Sequence, residues 1–360
     1  MGSQRFKILS LPLRYIVCVP VKTGWRSSRL LLALVLPLVL PGCGRGRGRA
    51  QEIAYVSAPQ AILRDHVSAV FNKTGVVKNG DRVQILERER RFARVRTASG
   101  TEGWIEQRSL VPQSVYDQFQ KLAQQQQNVP VQATGTTRND TNIHLDPGRE
   151  TEHLYQLNQG SKVSILKRAT AEKTVPGAMA KPSSASKHES SKPAALLEDW
   201  WLIRDPEGPV GWVLARMVDL DVPLEIAQYA EGQRTVAFFV LNQVADGEKK
   251  VSQYLVAFSE PKDGLPFDYD QVRVFTWNVK RHRYETAYRE HKLNGVLPVT
   301  VSQEDFGKEG TLPIFLLHVK DDNGTVSERK YKMDTPIVRR VLAPGEAKES
   351  SAPRKKARHH

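Results

Sequence analysis

Cysteine is almost absent: the 360 residues contain two, Cys18 and Cys43. Both precede the part of the chain patterned to fold, so no disulfide framework, cysteine-based metal site or cysteine nucleophile is available downstream. Metal-ligand spacings are missing as well. The nine histidines, His66, His144, His153, His188, His282, His291, His318, His359 and His360, form no His-x-Glu or His-Glu-x-x-His pattern. There is no Gly-x-Ser-x-Gly elbow and no phosphate-cradling glycine loop. The apolar run Leu30 to Leu40 has 11 residues, where a bilayer-spanning helix needs about 20. Amphipathic helices between strands are lacking too, which excludes a doubly wound α/β fold.

Charge is unevenly spread. The net +14 comes mostly from the ends: six Lys/Arg and no Asp/Glu in residues 1 to 43, then Arg45, Arg47 and Arg49, and five basic against two acidic residues from 346 to 360. The body between is nearly balanced. It has no long-range field to attract a polyanion, so nucleic acid is not an expected partner.

Arg26 and Arg29, the apolar run to Leu40, and Leu40-Pro41-Gly42-Cys43 follow the order of a basic n-region, an h-region and a small-residue cleavage site. This stretch resembles a bacterial lipoprotein signal peptide, which implies that Cys43 is lipidated and begins the mature chain. An ordinary secretory signal or an uncleaved anchor is the alternative. Each buried acyl methylene contributes about 0.8 kcal/mol, so two or three chains anchor firmly. Translation starting near Val21 would give the signal usual proportions and remove Cys18. Residues 44–54 then form a tether, with GRGRGR as a flexible cationic spacer. Gly44 is not the Asp that acts as an inner-membrane retention signal in some diderm bacteria, which favours the periplasmic face of an outer membrane.

A repeat lies behind these. GTEGWIEQRSLV at 100–111 is echoed by PVGWVLARMVDL at 209–220. Gly80 matches Gly160, Val83 and Ile85 match Val163 and Ile165, and Gly103-Trp104-Ile105 matches Gly211-Trp212-Val213. The surplus in the second copy is a Ser, Ala, Lys and Pro-rich stretch, about 170–197, too poor in apolar residues to stay ordered. Placed in a hairpin between strands ending near Lys167 and beginning near Asp199, it costs only about 1 to 2 kcal/mol in loop closure. Period-two alternation and Asn-Gly or Gln-Gly turns mark both copies as short strands. Gly103 and Gly211 suit positions where a Cβ would clash or φ is positive. Trp104 and Trp212 are expected in the small cores, where loss of either would cost about 3 to 5 kcal/mol.

The Leu/Ile-Arg or Leu-Asp opening, the apolar-x-x-Gly-x-x-Val-x-Ile-Leu middle and the Gly-Trp-apolar ending are similar to the bacterial Src homology 3 domain. That resemblance implies small β-barrels at 55–112 and 133–222, and a cell-envelope binding role. Between them, 113–132 reads as a helical linker, with Val115, Phe119 and Leu122 on one stripe and Ser114 and Asp117 as a capping box. Residues 224–343 read as further strands, with Asn323-Gly324 as a two-residue hairpin turn, and 344–360 as a basic disordered tail. The fold class is therefore all-β, with two SH3-like barrels in tandem and a C-terminal antiparallel sandwich or barrel.

Aromatics carry the binding chemistry. Tyr55, Phe92, Trp200 and Trp201 lie near the barrel strands, and alternation sends one ring of the Trp200-Trp201 pair outward, able to stack on a sugar or peptide. Arg, His and Tyr interleave at 279–292 as a solvated cross-strand face. Asp268 and Asp270 share one strand face and are expected at a solvated surface, with acid–base work as a lesser alternative. No catalytic, metal or cofactor site is expected. The sequence thus points to a membrane-anchored, non-enzymatic envelope protein binding cell-wall peptide or glycan. The alternatives are a scaffold for another envelope protein and, last, a hydrolase in the C-terminal part.

Overall fold

The computed structural model describes residues 52–67, 72–173, 196–206 and 208–342. Cys43, expected from the sequence to be lipidated, lies outside them, as do the tether before residue 52, residues 174–195 of the insert and the basic tail.

The first unit has β1 (Glu52–Val56), β2 (Gln60–Arg64), β3 (Lys73–Lys78), β4 (Arg82–Glu89), β5 (Phe92–Thr97), β6 (Glu102–Glu106) and β7 (Leu110–Pro112). Helix α1 (Gln113–Gln126) leads to the second unit: β8 (Ala133–Thr137), β9 (Thr141–His144), β10 (His153–Leu157), β11 (Lys162–Glu172), β12 (Leu197–Arg204), β13 (Val210–Leu214) and β14 (Val218–Leu220). Each forms an antiparallel sheet, ordered β3-β2-β6-β5-β4-β1-β7 and β10-β9-β13-β12-β11-β8-β14. The second order is the first with seven added to every strand, so the sequence repeat is a repeat of topology. Even the irregularities recur: register shifts occur between Ile85 and Glu87 in β4 and between Ile165 and Lys167 in β11.

The Gly-Trp motif works differently from expectation. In β6 and β13 the residues facing the core are Ile105 and Val213, 2% and 0% exposed, while Trp104 and Trp212 are half-buried on the opposite face. Period-two alternation puts the glycine and the residue after the tryptophan on the inner face. A Cβ on Gly103 would sit 2.6 Å from Thr74 Oγ1 and 2.8 Å from Leu63 Cβ; on Gly211 it would sit 2.7 Å from His144 O and strike Ile143 Cγ2. The glycines therefore let β2 and β9 approach closely.

The β11–β12 hairpin is longer than the sequence suggests. Its ladder runs on to Glu172 opposite Leu197, and Lys173 N donates to Leu196 O at 2.7 Å. Residues 170–173 and 196–197 are thus ladder or ladder edge, not insert. In α1, the N-cap is Pro112 and no side-chain cap forms; Asp117 instead accepts from Gln113 Nε2 at 2.7 Å. The Ser114–Asp117 capping box is absent because the chain enters α1 straight from β7, two residues earlier than the box requires. Val115 and Phe119 are buried in a core shared with the second unit.

After the short α2 (Leu224–Ala227), the third unit is one consecutive meander. Its strands are β15 (Arg234–Asp246), β16 (Lys249–Ser259), β17 (Tyr269–Asn278), β18 (Arg283–Asp305), β19 (Thr311–Lys320), β20 (Val326–Asp334) and β21 (Ile337–Val341). It is a single seven-stranded sheet, with β15 brought back against β18 where Gln303 Nε2 donates to Leu241 O at 3.2 Å. The Asn323-Gly324 turn spans more than two residues: Asp321 N donates to Thr325 O at 2.8 Å, and Gly324 takes φ +87°.

Candidate functional site

All four aromatic candidates are inside. Tyr55, Phe92, Trp200 and Trp201 are each less than 9% exposed. Tyr55 stacks on Tyr116 of α1, ring centres 4.1 Å apart, and the Arg91 guanidinium sits 5.3 Å over the Phe92 ring. The outward ring expected of Trp200-Trp201 does not exist, because both faces of β12 are covered. Trp201 joins the core shared with the third unit, and its neighbour Leu202 packs with residues at the end of α1. Alternation sorts side chains between two faces of a sheet, but it leaves one wet only where nothing packs there.

Trp200 nevertheless marks a site, as the wall of a cleft of about 490 Å³ in the second unit. The polar lining comes from Asn142 and His144 on β9, His153 and Gln156 on β10, Arg149 and Glu150 on the loop joining them, and Arg216. Trp200 meets His144 edge-on at 5.2 Å. The β9–β10 loop is tied down from within, since Thr151 Oγ1 lies 2.8 Å from both Asp146 O and Gly148 O. Its tip is held by Arg149, which forks onto buried Glu198 at 2.7 and 2.6 Å. That pair is bidentate, the geometry that gives an arginine–carboxylate contact its direction. It keeps the Glu198 carboxyl below the usual carboxylate range. Arg216 is only 3.8 Å from Glu198 Oε1 and its side chain is 57% exposed, so it remains available to a ligand.

His144 is the perturbed group of the cleft. Burial first, then the charge of His153, lowers its pKa to about 4. Its Nδ1 faces Thr151, 3.2 Å from the carbonyl and 3.1 Å from Oγ1. The ring is thus neutral near pH 7, with Nδ1 the donor. Sequence reasoning passed over His144, His153, Arg149 and Arg216. The one available signal was that His144 and His153 frame the first loop of the repeat, nine positions apart.

On the other side of the Ala215–Met217 turn, Trp201, Leu220 and Val222 underlie a second cleft of about 370 Å³, rimmed by Arg138, Arg216 and Arg234. Beside it lies the main departure at Asp268. This residue is not at a solvated surface: Arg168 Nη2 donates to Asp199 at 2.6 Å, Arg168 Nη1 is 3.3 Å from Asp268, and Arg234 is 2.9 Å from Asp199. The side chains of Arg168 and Asp199 are 3% and 0% exposed. Burial pushes the Asp268 carboxyl up. Burial also acts to raise Asp199, but the Arg168 hydrogen bond, the Gly264 N–H and the nearby guanidinium charges together hold it below the usual range. These carboxylates join the second and third units and are not exposed acid–base groups. Asp270 is half-buried, and burial raises its pKa too. Among the described residues, no three His, Cys, Asp or Glu side chains cluster as a metal site.

The units are also joined by side chains that act as strand partners. Asn79, in the β3–β4 turn, donates to Leu154 O at 2.6 Å and accepts from Gln156 N at 3.2 Å, engaging the outer edge of β10. Buried Gln132 does the same to Val299, at 3.2 and 2.7 Å.

In structure the chain is similar to an NlpC/P60 family protein from Bacillus cereus ATCC 10987, at 10% identity and a TM-score of 0.22. The match covers 53% of this chain and 65% of that protein. NlpC2 from Trichomonas vaginalis is 13% identical at a TM-score of 0.16, over 81% of this chain and 96% of that one. NlpC1 from the same organism is 11% identical at 0.16, over 77% and 87%. Such scores establish neither a shared fold nor an activity. No curated protein matches the chain. Residues 61–111 match the family described as Bacterial SH3 domain, and the chain therefore carries a bacterial SH3 domain in its first unit.

Proposed function

We propose that this chain is a non-enzymatic envelope lipoprotein that holds cell-wall peptide or glycan close to a membrane, anchored through Cys43 at the periplasmic face of an outer membrane. The observation that carries this reading is the cleft of the second unit, which repeats the strand order of the bacterial SH3 domain beside it. Its lining suits such a polymer. Asn142 and Gln156 offer amide donors and acceptors, Arg216 an exposed guanidinium for a carboxylate, and Trp200 an apolar wall. The tied-down loop supports binding with little ordering cost. The engagement of Asp268 by Arg168 and by the Leu297 N–H at 2.8 Å weighs for a binding role over a carboxylate hydrolase.

Co-sedimentation of residues 44 to 360 with protein-free sacculi tests this. Binding that survives moderate salt and drops with Arg216→Ala and Gln156→Ala, both in folded protein, is the expected result. Binding untouched by either change, or lost entirely with salt, would overturn it.

One observation favours a scaffold that binds another envelope protein. Ile62 and Val76 pair directly across β2 and β3 and are both exposed, an apolar spot next to the unpaired edge of β3. Crosslinking that yields a stoichiometric protein partner, lost on Val76→Lys, would put this reading first.

A further inference from the structure

The cleft contains a histidine pair that the wall-binding reading does not use. His144 and His153 stand directly opposite each other in the β9–β10 register. Their ring centres are 5.4 Å apart and the rings are tilted by 44°. A histidine bound to a first-row metal has its nitrogen about 2.1 Å away and its ring centre about 3.2 Å away. Two such rings at a tetrahedral angle therefore have centres about 5.2 Å apart, close to the separation seen here.

The surroundings suit a cation. Thr151 occupies Nδ1 of His144 through its carbonyl and hydroxyl oxygens. This is the outer-shell contact that fixes the tautomer of a metal-binding histidine and leaves Nε2 as a lone pair on the far edge of the ring. Neither that nitrogen nor either nitrogen of His153 has a hydrogen-bond partner among the described residues. Of the cations nearby, Arg149 is paired with Glu198 and Arg216 is largely turned to solvent, while Glu150 and Asp140 add negative charge at the lining. Both histidines are half-buried and within reach of solvent.

We propose that His144 and His153 form a two-histidine site for a divalent transition metal of the zinc or copper class. Water fills the remaining positions, since no third His, Cys, Asp or Glu among the described residues joins them. Imidazole donors select these metals over magnesium and calcium. The open positions would let the ion take a carboxylate or amide oxygen of whatever enters the cleft. The first unit has Arg64 and Lys73 in the matching register and cannot bind a cation there.

The experiment is a calorimetric titration of the full chain with zinc, in a background where His188, His359 and His360 are alanine and Cys18 and Cys43 are serine, so that ligands outside the described residues do not report. It is paired with copper(II) electron paramagnetic resonance. One ion per chain is expected, with nitrogen hyperfine structure from two imidazoles, and affinity at least about tenfold weaker in His153→Ala and in His144→Gln. His153→Ala removes a half-exposed ring, and circular dichroism verifies its fold; it decides the matter if His144→Gln unfolds. No binding at millimolar metal, or binding unchanged in folded His153→Ala, would overturn the site. Because the readout needs no cell wall, its failure and that of the wall-binding reading are separable.

Discussion

The first and second units are built on one ladder and spend it differently. Register places Arg64, Lys73, Phe92 and Arg108 of the first where the second has His144, His153, Trp200 and Arg216. Arg88 likewise corresponds to Arg168: each stands in the strand after the repeated bulge, opposite Ala93 in one copy and Trp201 in the other. Yet Arg88 makes an exposed pair with Glu52, both side chains more than two-fifths exposed, while Arg168 is sealed between Asp199 and Asp268. The same residue type at the same position is thus surface decoration in one copy and a structural joint in the other. The third unit makes the difference, because its 264–268 segment covers the hairpin of the second copy.

That contrast can be broken directly. Arg168→Met should cost about 3 to 5 kcal/mol, since it leaves Asp199 buried without its main partner. Arg88→Met should cost less than about 1 kcal/mol, as expected of a screened exposed pair. Urea denaturation of both variants measures this, and equal costs would refute the distinction.

Acid should separate the cleft positions next. In metal-free protein the folded pKa of His144, about 4, lies below the ordinary histidine value of 6.5. Between those values the unfolded chain binds more protons, so stability falls as pH drops through that window. His144→Gln should flatten the slope by up to about 3 kcal/mol. The matching change in the first unit, Arg64→Gln, should leave the profile from pH 6.5 to 4 unchanged.

Gly103→Ala and Gly211→Ala should behave alike, each losing about 1 to 3 kcal/mol to overpacking, because both copies bring a neighbouring strand against the glycine. A thermal shift seen in one copy only would mean that the close approach is not shared. The smallest effect concerns Asn79, whose amide contacts β10, whereas its counterpart Gln159 contacts Asp140 through its backbone N–H. Asn79→Ala should cost about 1 to 2 kcal/mol and speed proteolysis between the first two units, while Gln159→Ala should be near neutral.

The repeat was legible because it rests on local chemistry. Gly80 and Gly160 both take φ +82° in their turns, and the alternation Val83, Ile85 and Val163, Ile165 needs only a two-residue period. The strands of the third unit could be read for the same reason, except that β18 runs on without a break from Arg283 to Asp305. The candidate site was far less legible. The Trp200-Trp201 pair was singled out for one exposed ring, which neither has, and His144 and His153, separated by a loop, showed no chelating spacing. Asp268 looked solvated because its partners, Arg168 and the Leu297 N–H, are 100 and 29 positions away in sequence.

By itself, then, the sequence determined an all-β chain with a duplicated strand pattern, since turn residues and alternation act within a few residues. Only the tertiary structure decided which faces stay wet, which charges are sealed and which side chains meet across β9 and β10. Those outcomes depend on what packs against a strand from distant parts of the chain, and alternation along one strand carries no record of that.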